Sequence, residues 1–138
     1  MTINNIIEDI KKLEIKMKSN KEFLQENPFA FHTFIELLYY FINNKYPNKK
    51  DSYIYKKAHI NAKLFSKLRN PQYHPSKKTI IALGLALELS IDEFELLLNS
   101  AGYSLALNNQ FDIVIIYCIQ NKIYDLFLVN EILYEIDL

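Results

Sequence analysis

Residues Tyr53 to Gly102 read YIYKKAHINAKLFSKLRNPQYHPSKKTIIALGLALELSIDEFELLLNSAG, and this stretch decides the fold. A short segment with Ile54 and Ala58 on its apolar side meets a tight turn at His59-Ile60-Asn61. A second short segment, Ala62 to Arg69, sets Leu64, Phe65 and Leu68 on one side and charge on the other. Two such helices joined by a tight turn form the pattern of a helix-turn-helix. Asn61 is the natural N-cap of the second helix, and Asn70-Pro71 stops it. Ser76 then caps a helix over Lys77–Leu89 that is apolar nearly all round, with Ile80, Ile81, Leu83, Leu85 and Leu87. A helix with no polar face belongs at the centre of a core. Ser90-Ile91-Asp92-Glu93 is a capping box, and Gly102 is placed to end the helix it starts.

Upstream, FAFHTFIELLYYFINN predicts a helix from about Phe29 to Asn44, with Phe34, Leu37, Leu38, Phe41 and Ile42 inward. Ser52 reads as the N-cap of the helix that follows. Downstream, apolar spacing predicts helices at 110–120 and 125–136, with a turn at Asn121-Lys122. At the N-terminus Ile3, Ile6, Ile7, Ile10, Leu13 and Met17 recur at threes and fours, one stripe of an amphipathic helix. That stripe packs either on the chain's own core or on a partner helix, as in a homodimer. Asn27-Pro28 ends the segment. The predicted organisation is an N-terminal helix within 1–27 and a helical domain over 28–138. The domain has a five-helix core at 29–102 and two C-terminal helices within 110–136. The class is all-α, which suits a chain of 138 residues with two glycines and four prolines.

Charge is segregated. The chain has sixteen basic and sixteen acidic residues and no net charge. Residues 45–78 hold ten bases and one acid, Asp51, a balance of +9. Residues 79–138 hold nine acids and one base, Lys122, a balance of −8. The basic block coincides with the helix-turn-helix, which points to a polyanion-binding side. Ala62, Lys63, Ser66, Lys67 and Asn70 are the outward positions of the second short helix. Lysine reaches phosphates or guanine edges and asparagine pairs with adenine, so this face suits a DNA groove. Lys49, Lys50, Lys56, Lys57, Lys77 and Lys78 would hold phosphates, with Asn61 and Arg69 completing the candidate set.

These residues carry a resemblance. Residues 29–102 resemble the five-helix lambda-repressor-like, or Xre-type, DNA-binding domain. YKKAHINAKLFSKLRN is similar to its helix 2, turn and helix 3, and PSKKTIIALGLALELSIDEFELLL to its helices 4 and 5. Tyr55 to Leu138 also resembles a C-terminal module of some bacterial multidomain proteins, for example after macro domains. The resemblance implies a DNA-binding regulator whose helix Asn61–Asn70 enters the major groove. Two positions depart from the family. Tyr55 stands where Ala is usual at the helix crossing, so its ring must point away or open that crossing. His59 stands where Gly is usual, so it must carry a left-handed backbone.

Catalytic constellations are not legible. His32, His59 and His74 fall on different elements, Cys118 has no His near it in sequence, and no Gly-rich phosphate loop occurs. The expectation is a non-enzyme without cofactor or metal. Tyr39, Tyr40, Tyr46, Tyr53 and Tyr55 read as core-edge packing, with base stacking as the alternative. The Asn-, Glu- and Lys-rich N-terminus is unlike a signal peptide, and no apolar run reaches the ~18–20 residues of a membrane span. A lone Cys makes a reducing cytoplasmic setting the default. Two functions follow as rivals. One is a small DNA-binding transcriptional regulator, with RNA or a nucleoprotein complex as other targets. The second is a protein-interaction module: an adaptor, an antitoxin-like partner, or a phage or mobile-element inhibitor of a nucleic-acid-handling complex.

Overall fold

The computed structural model describes residues 2–12 and 32–136. Every element among them is an α-helix. The chain divides into two units, residues 1–32 and residues 33–138. In the first, residues 3–12 form helix α1. Its Ile3, Ile6, Ile7 and Ile10 are exposed, and Leu13 and Met17 of the same stripe lie outside the described residues.

The second unit holds seven helices: α2 (Phe34–Lys45), α3 (Asp51–Lys57), α4 (Ala62–Lys67), α5 (Lys77–Ala86), α6 (Ile91–Ser100), α7 (Gln110–Gln120) and α8 (Leu126–Glu135). Most begin at a polar cap. Thr33, Asn61, Ser76, Ser90, Asn109 and Asp125 each accept a first-turn N–H through a side-chain oxygen. These contacts satisfy donors that no earlier carbonyl can reach. Thr33 caps α2, which starts at Phe34; residues 29–31 of the predicted helix lie outside the described residues. Helix α3 is the exception. Its N-cap is Lys50, with no side-chain cap, and the predicted cap Ser52 lies inside the first turn. Asp51 supplies the negative charge that a helix N-terminus favours.

Four helices end alike. After α3, α5, α6 and α7 the chain takes one residue in the left-handed region: His59 (φ 56°), Glu88 (φ 54°), Gly102 (φ 84°) and Lys122 (φ 57°). At each, the N–H of that residue and of the next bond back to carbonyls of the last turn, as in His59 to Lys56 and Ile60 to Tyr55. This is the Schellman closure. It ends α5 at Ala86, three residues short of the predicted Leu89, while Leu87 and Leu89 stay buried beyond it. An apolar or aromatic residue follows each reversal: Ile60, Leu89, Tyr103 and Ile123.

Helix α5 is the centre. Ile80, Ile81, Leu83, Leu85 and Ala86 are all buried, and α5 packs on α3, α6 and α8. Gly84 is where α6 comes closest. A Cβ there would fall against Cζ, Cε1 and Cε2 of the buried Phe94 ring, closer than carbon atoms approach. Helix α6 also packs on α2, joined at the surface by Lys45 Nζ and Glu93 Oε1 at 3.1 Å. Burial pushes the Glu93 carboxyl up, but the Ser90 N–H and the Lys45 ammonium outweigh it and hold it below the usual range. Cys118 is buried in α7, and burial pushes its thiol up, so it packs as a small apolar group.

Gly84→Ala tests the close approach. On helix propensity alone it gains about 1 kcal/mol. Overpacking against Phe94 costs about 1–3 kcal/mol, so the expected net result in urea unfolding is a loss of stability. Glu88→Gly, at a left-handed position, is expected to stabilise by about 0.5–1 kcal/mol in the same assay.

Candidate nucleic-acid interface

The unit α3–turn–α4 is built by three local devices. Ile54 and Ala58 seat α3 on the core, and Phe65 and Leu68 seat α4, with Leu64 half-buried. The turn closes on His59, which has the left-handed backbone expected for that position. Asn61 then caps α4, its Oδ1 accepting the Leu64 N–H at 2.7 Å. With one face of α4 buried, Ala62, Lys63, Ser66 and Lys67 are exposed together.

Tyr55 does not leave the α3–α4 contact. Its ring is half-buried, with its centroid 5.6 Å from that of Phe65 at a tilt of 43°. The two rings share the crossing, which resolves how a bulky residue is accommodated there.

A polar cluster ties the ends of the unit to α2. The Tyr39 hydroxyl donates to Asp51 Oδ2 at 3.0 Å, and Arg69 Nε donates to the Tyr39 hydroxyl at 2.9 Å. Arg69 also bonds Asp51 directly. Burial raises the Tyr39 phenol pKa above its ordinary value; the Arg69 hydrogen bond opposes this and the Asp51 carboxylate adds to it. The start of α3 and the end of α4 are thereby drawn together. Tyr39 and Asp51 are absent from the sequence-based site. Asp51 had a signal, as the single acid in a strongly basic segment.

The twelve candidate residues fall into three groups. Lys50, Lys56, Lys63, Lys67 and Ser66 are exposed. Lys49 and Lys78 are exposed as well, and each ammonium lies over a ring: Lys49 over Tyr53 at 4.8 Å, Lys78 over Phe111 at 6.0 Å. Lys57, Arg69 and Lys77 are engaged. Lys57 Nζ donates to the Tyr46 hydroxyl at 2.7 Å and lies over the same ring. Tyr46 and Tyr53 themselves meet at 5.4 Å, so Lys49, Tyr53, Tyr46 and Lys57 form a cation–aromatic row. The asparagines form the third group. Asn61 spends its carboxamide oxygen on its cap, and Asn70 Oδ1 accepts the Gln72 N–H at 2.9 Å. A bidentate adenine contact needs that oxygen and the amide N–H together. Both asparagines shape the backbone in this structure, each carboxamide oxygen accepting one backbone N–H.

Lys77 departs furthest from the sequence reading. Its ammonium donates to Asp112 Oδ2 at 2.7 Å, and Asp112 is only 1 % exposed. The same oxygen accepts the Ala106 N–H at 2.8 Å, while Oδ1 is buried without a protein partner. The pair crosses from the first turn of α5 to the first turn of α7. Lys77 is the counter-ion of a buried carboxylate, and its neighbour Lys78 faces solvent. Among the described residues no group of three His, Cys, Asp or Glu could hold a metal ion, and no helix is long and apolar enough to cross a membrane.

The two adjacent lysines make a direct test. Lys77→Ala leaves Asp112 buried without its cation and is expected to cost about 3 kcal/mol of stability in chemical denaturation. Lys78→Ala removes an exposed charge and is expected to stay within about 0.5 kcal/mol of the parent. Comparison of the chain with known protein families, with characterised proteins and with solved structures returns no match.

Proposed function

We propose that residues 33–138 bind duplex nucleic acid through a lambda-repressor-like helix-turn-helix, with α4 entering the major groove of DNA. The observation that carries this reading is the charge pairing of the basic segment. Its one acid, Asp51, is already bonded to Arg69, so Lys49, Lys50, Lys56, Lys63 and Lys67 are opposed by no carboxylate within the segment. In this reading Lys63, Ser66 and Lys67 on α4 face base edges. Lys49, Lys50, Lys56 and Lys78 hold phosphates, and the Tyr46–Tyr53 row flanks them. Lys77 and Arg69 act indirectly, by holding α5 and α4 in place. The setting proposed for this activity is the cytoplasm, and its role is transcriptional regulation by a small non-enzymatic protein.

A second reading is favoured by a different observation. Ile113 and Tyr117 on α7, and Phe127, Leu128 and Tyr134 on α8, are large apolar or aromatic side chains left exposed. An interaction module would use such a face against a partner protein or a second copy. In that case the basic side meets RNA, a nucleoprotein complex or an acidic protein surface.

Selection from a random duplex pool separates the two. The regulator reading expects an enriched motif, and selection that enriches none overturns it in favour of the interaction module. On the enriched site, Lys63→Ala and Lys67→Ala are expected to weaken binding more than on random DNA, because base contacts discriminate at ~1–3 kcal/mol each. Lys78→Ala is expected to weaken both alike. With about four to six phosphate contacts, log affinity is expected to fall with log salt at a slope of roughly −3.5 to −5.5. A flat salt response in a bound complex overturns the phosphate roles.

A further inference from the structure

A cleft of about 440 Å³ opens between the α3–α4 turn, α5, α7 and α8. We infer that it binds a small organic anion with an apolar body and one carboxylate. This inference does not depend on nucleic-acid binding. The volume lies within the roughly 300–1,000 Å³ typical of small-molecule sites. Here the walls are Ile81, Leu85, Phe111, Ile115 and Leu133, drawn from three helices. The polar groups are His59 of the turn, Lys78 of α5, and Asn130 and the Tyr134 hydroxyl of α8.

The sign of the ligand charge follows from what lines the cleft. No Asp or Glu does so. The Lys78 ammonium makes no ion pair among the described residues, and it lies 6.0 Å from the centroid of the Phe111 ring. The nearest acid in sequence to that ring is Asp112, and Asp112 is already joined to Lys77. A cation at the edge of an apolar wall favours a partner that can cover the wall and answer the charge in one molecule. A carboxylate does this with a charge-assisted hydrogen bond, and the exposed Asn130 amide can donate a second. A neutral ligand of the same shape leaves the ammonium to water, and a cationic one is repelled. On the third side His59 is held by its left-handed backbone, and its ring lies 4.5 Å from Phe127 of α8.

Calorimetric titration of the full chain with decanoate, 1-decanol and acetate tests the site, with amide chemical shifts to locate it. Decanoate is expected to bind one to one, about tenfold or more tighter than 1-decanol, with acetate undetected. Shifts are expected to cluster at Ala58–His59, Lys78–Leu85 and Leu126–Leu133. Lys78→Gln is expected to bring decanoate down to the affinity of 1-decanol, and Ala82→Phe, which fills the cleft, to abolish both. Equal binding of decanoate and 1-decanol by the parent overturns the inference, as does absence of decanoate binding at millimolar concentration. So does full decanoate affinity in a folded Ala82→Phe chain. A cleft already filled by a second copy would show as a dimer that Ala82→Phe dissociates, and that outcome also overturns it. Should Ala82→Phe fail to fold, Lys78→Gln on the exposed rim decides the question alone.

Discussion

The packing of residues 33–138 depends on one helix having no polar side beyond its first turn. Helix α5 is surrounded by α3, α6 and α8, and its side chains from Ile80 to Ala86 are buried apart from the half-buried Ala82. Burial of that kind is non-directional, so by itself it would allow many arrangements of neighbours. Gly84 narrows the choice. It removes the one side chain that would hold α6 away, and the Phe94 ring occupies the space. Large beside small at a helix contact is what turns an apolar surface into a specific one.

Around that axis, polar groups set where the outer helices end and how they are joined. Two clusters act across the basic segment. Tyr39, Asp51 and Arg69 close α3 and α4 onto α2, and Lys77 with Asp112 closes α5 onto α7. Each takes one cation from a segment that looks, by composition, like a uniform binding surface. Lys45, in the same segment, pairs with Glu93, and Lys57 bonds the Tyr46 hydroxyl, which is why the candidate interface is smaller than the basic block. Lys77 and Lys78 show how fine the division is. One residue apart on the first turn of α5, they point about 100° from each other, and only one reaches a carboxylate.

The same economy of glycine runs through the helix ends. Three of the four left-handed closures use His59, Glu88 and Lys122, and only one uses Gly102. Each of the three carries a strain that glycine would relieve. His59 has a compensating contact, since its ring meets Phe127, and that contact joins the turn to α8. At Glu88 and Lys122 the buried or half-buried residue that follows, Leu89 or Ile123, anchors the reversal.

Helix periodicity, caps and the all-apolar segment were legible in the sequence, because each is local. Ser76, Ser90 with Glu93, and Asn61 cap as their spacing implies, and the left-handed turn falls on His59. Local rules failed at α3, which starts at Asp51 behind an uncapped Lys50 and holds the expected cap, Ser52, inside its first turn. Which cations are free was not legible. A lysine's partner is chosen by what lies across space from it, and Asp112 stands thirty-five residues from Lys77. The cleft was equally hidden, because its walls come from segments far apart in the chain that meet only once α5 is buried. The amino-acid sequence by itself determined that the chain is helical, where most of its helices begin, and which segment is basic. Only the tertiary structure decided which of those charges face outward, since charge pairing depends on distances that packing alone creates.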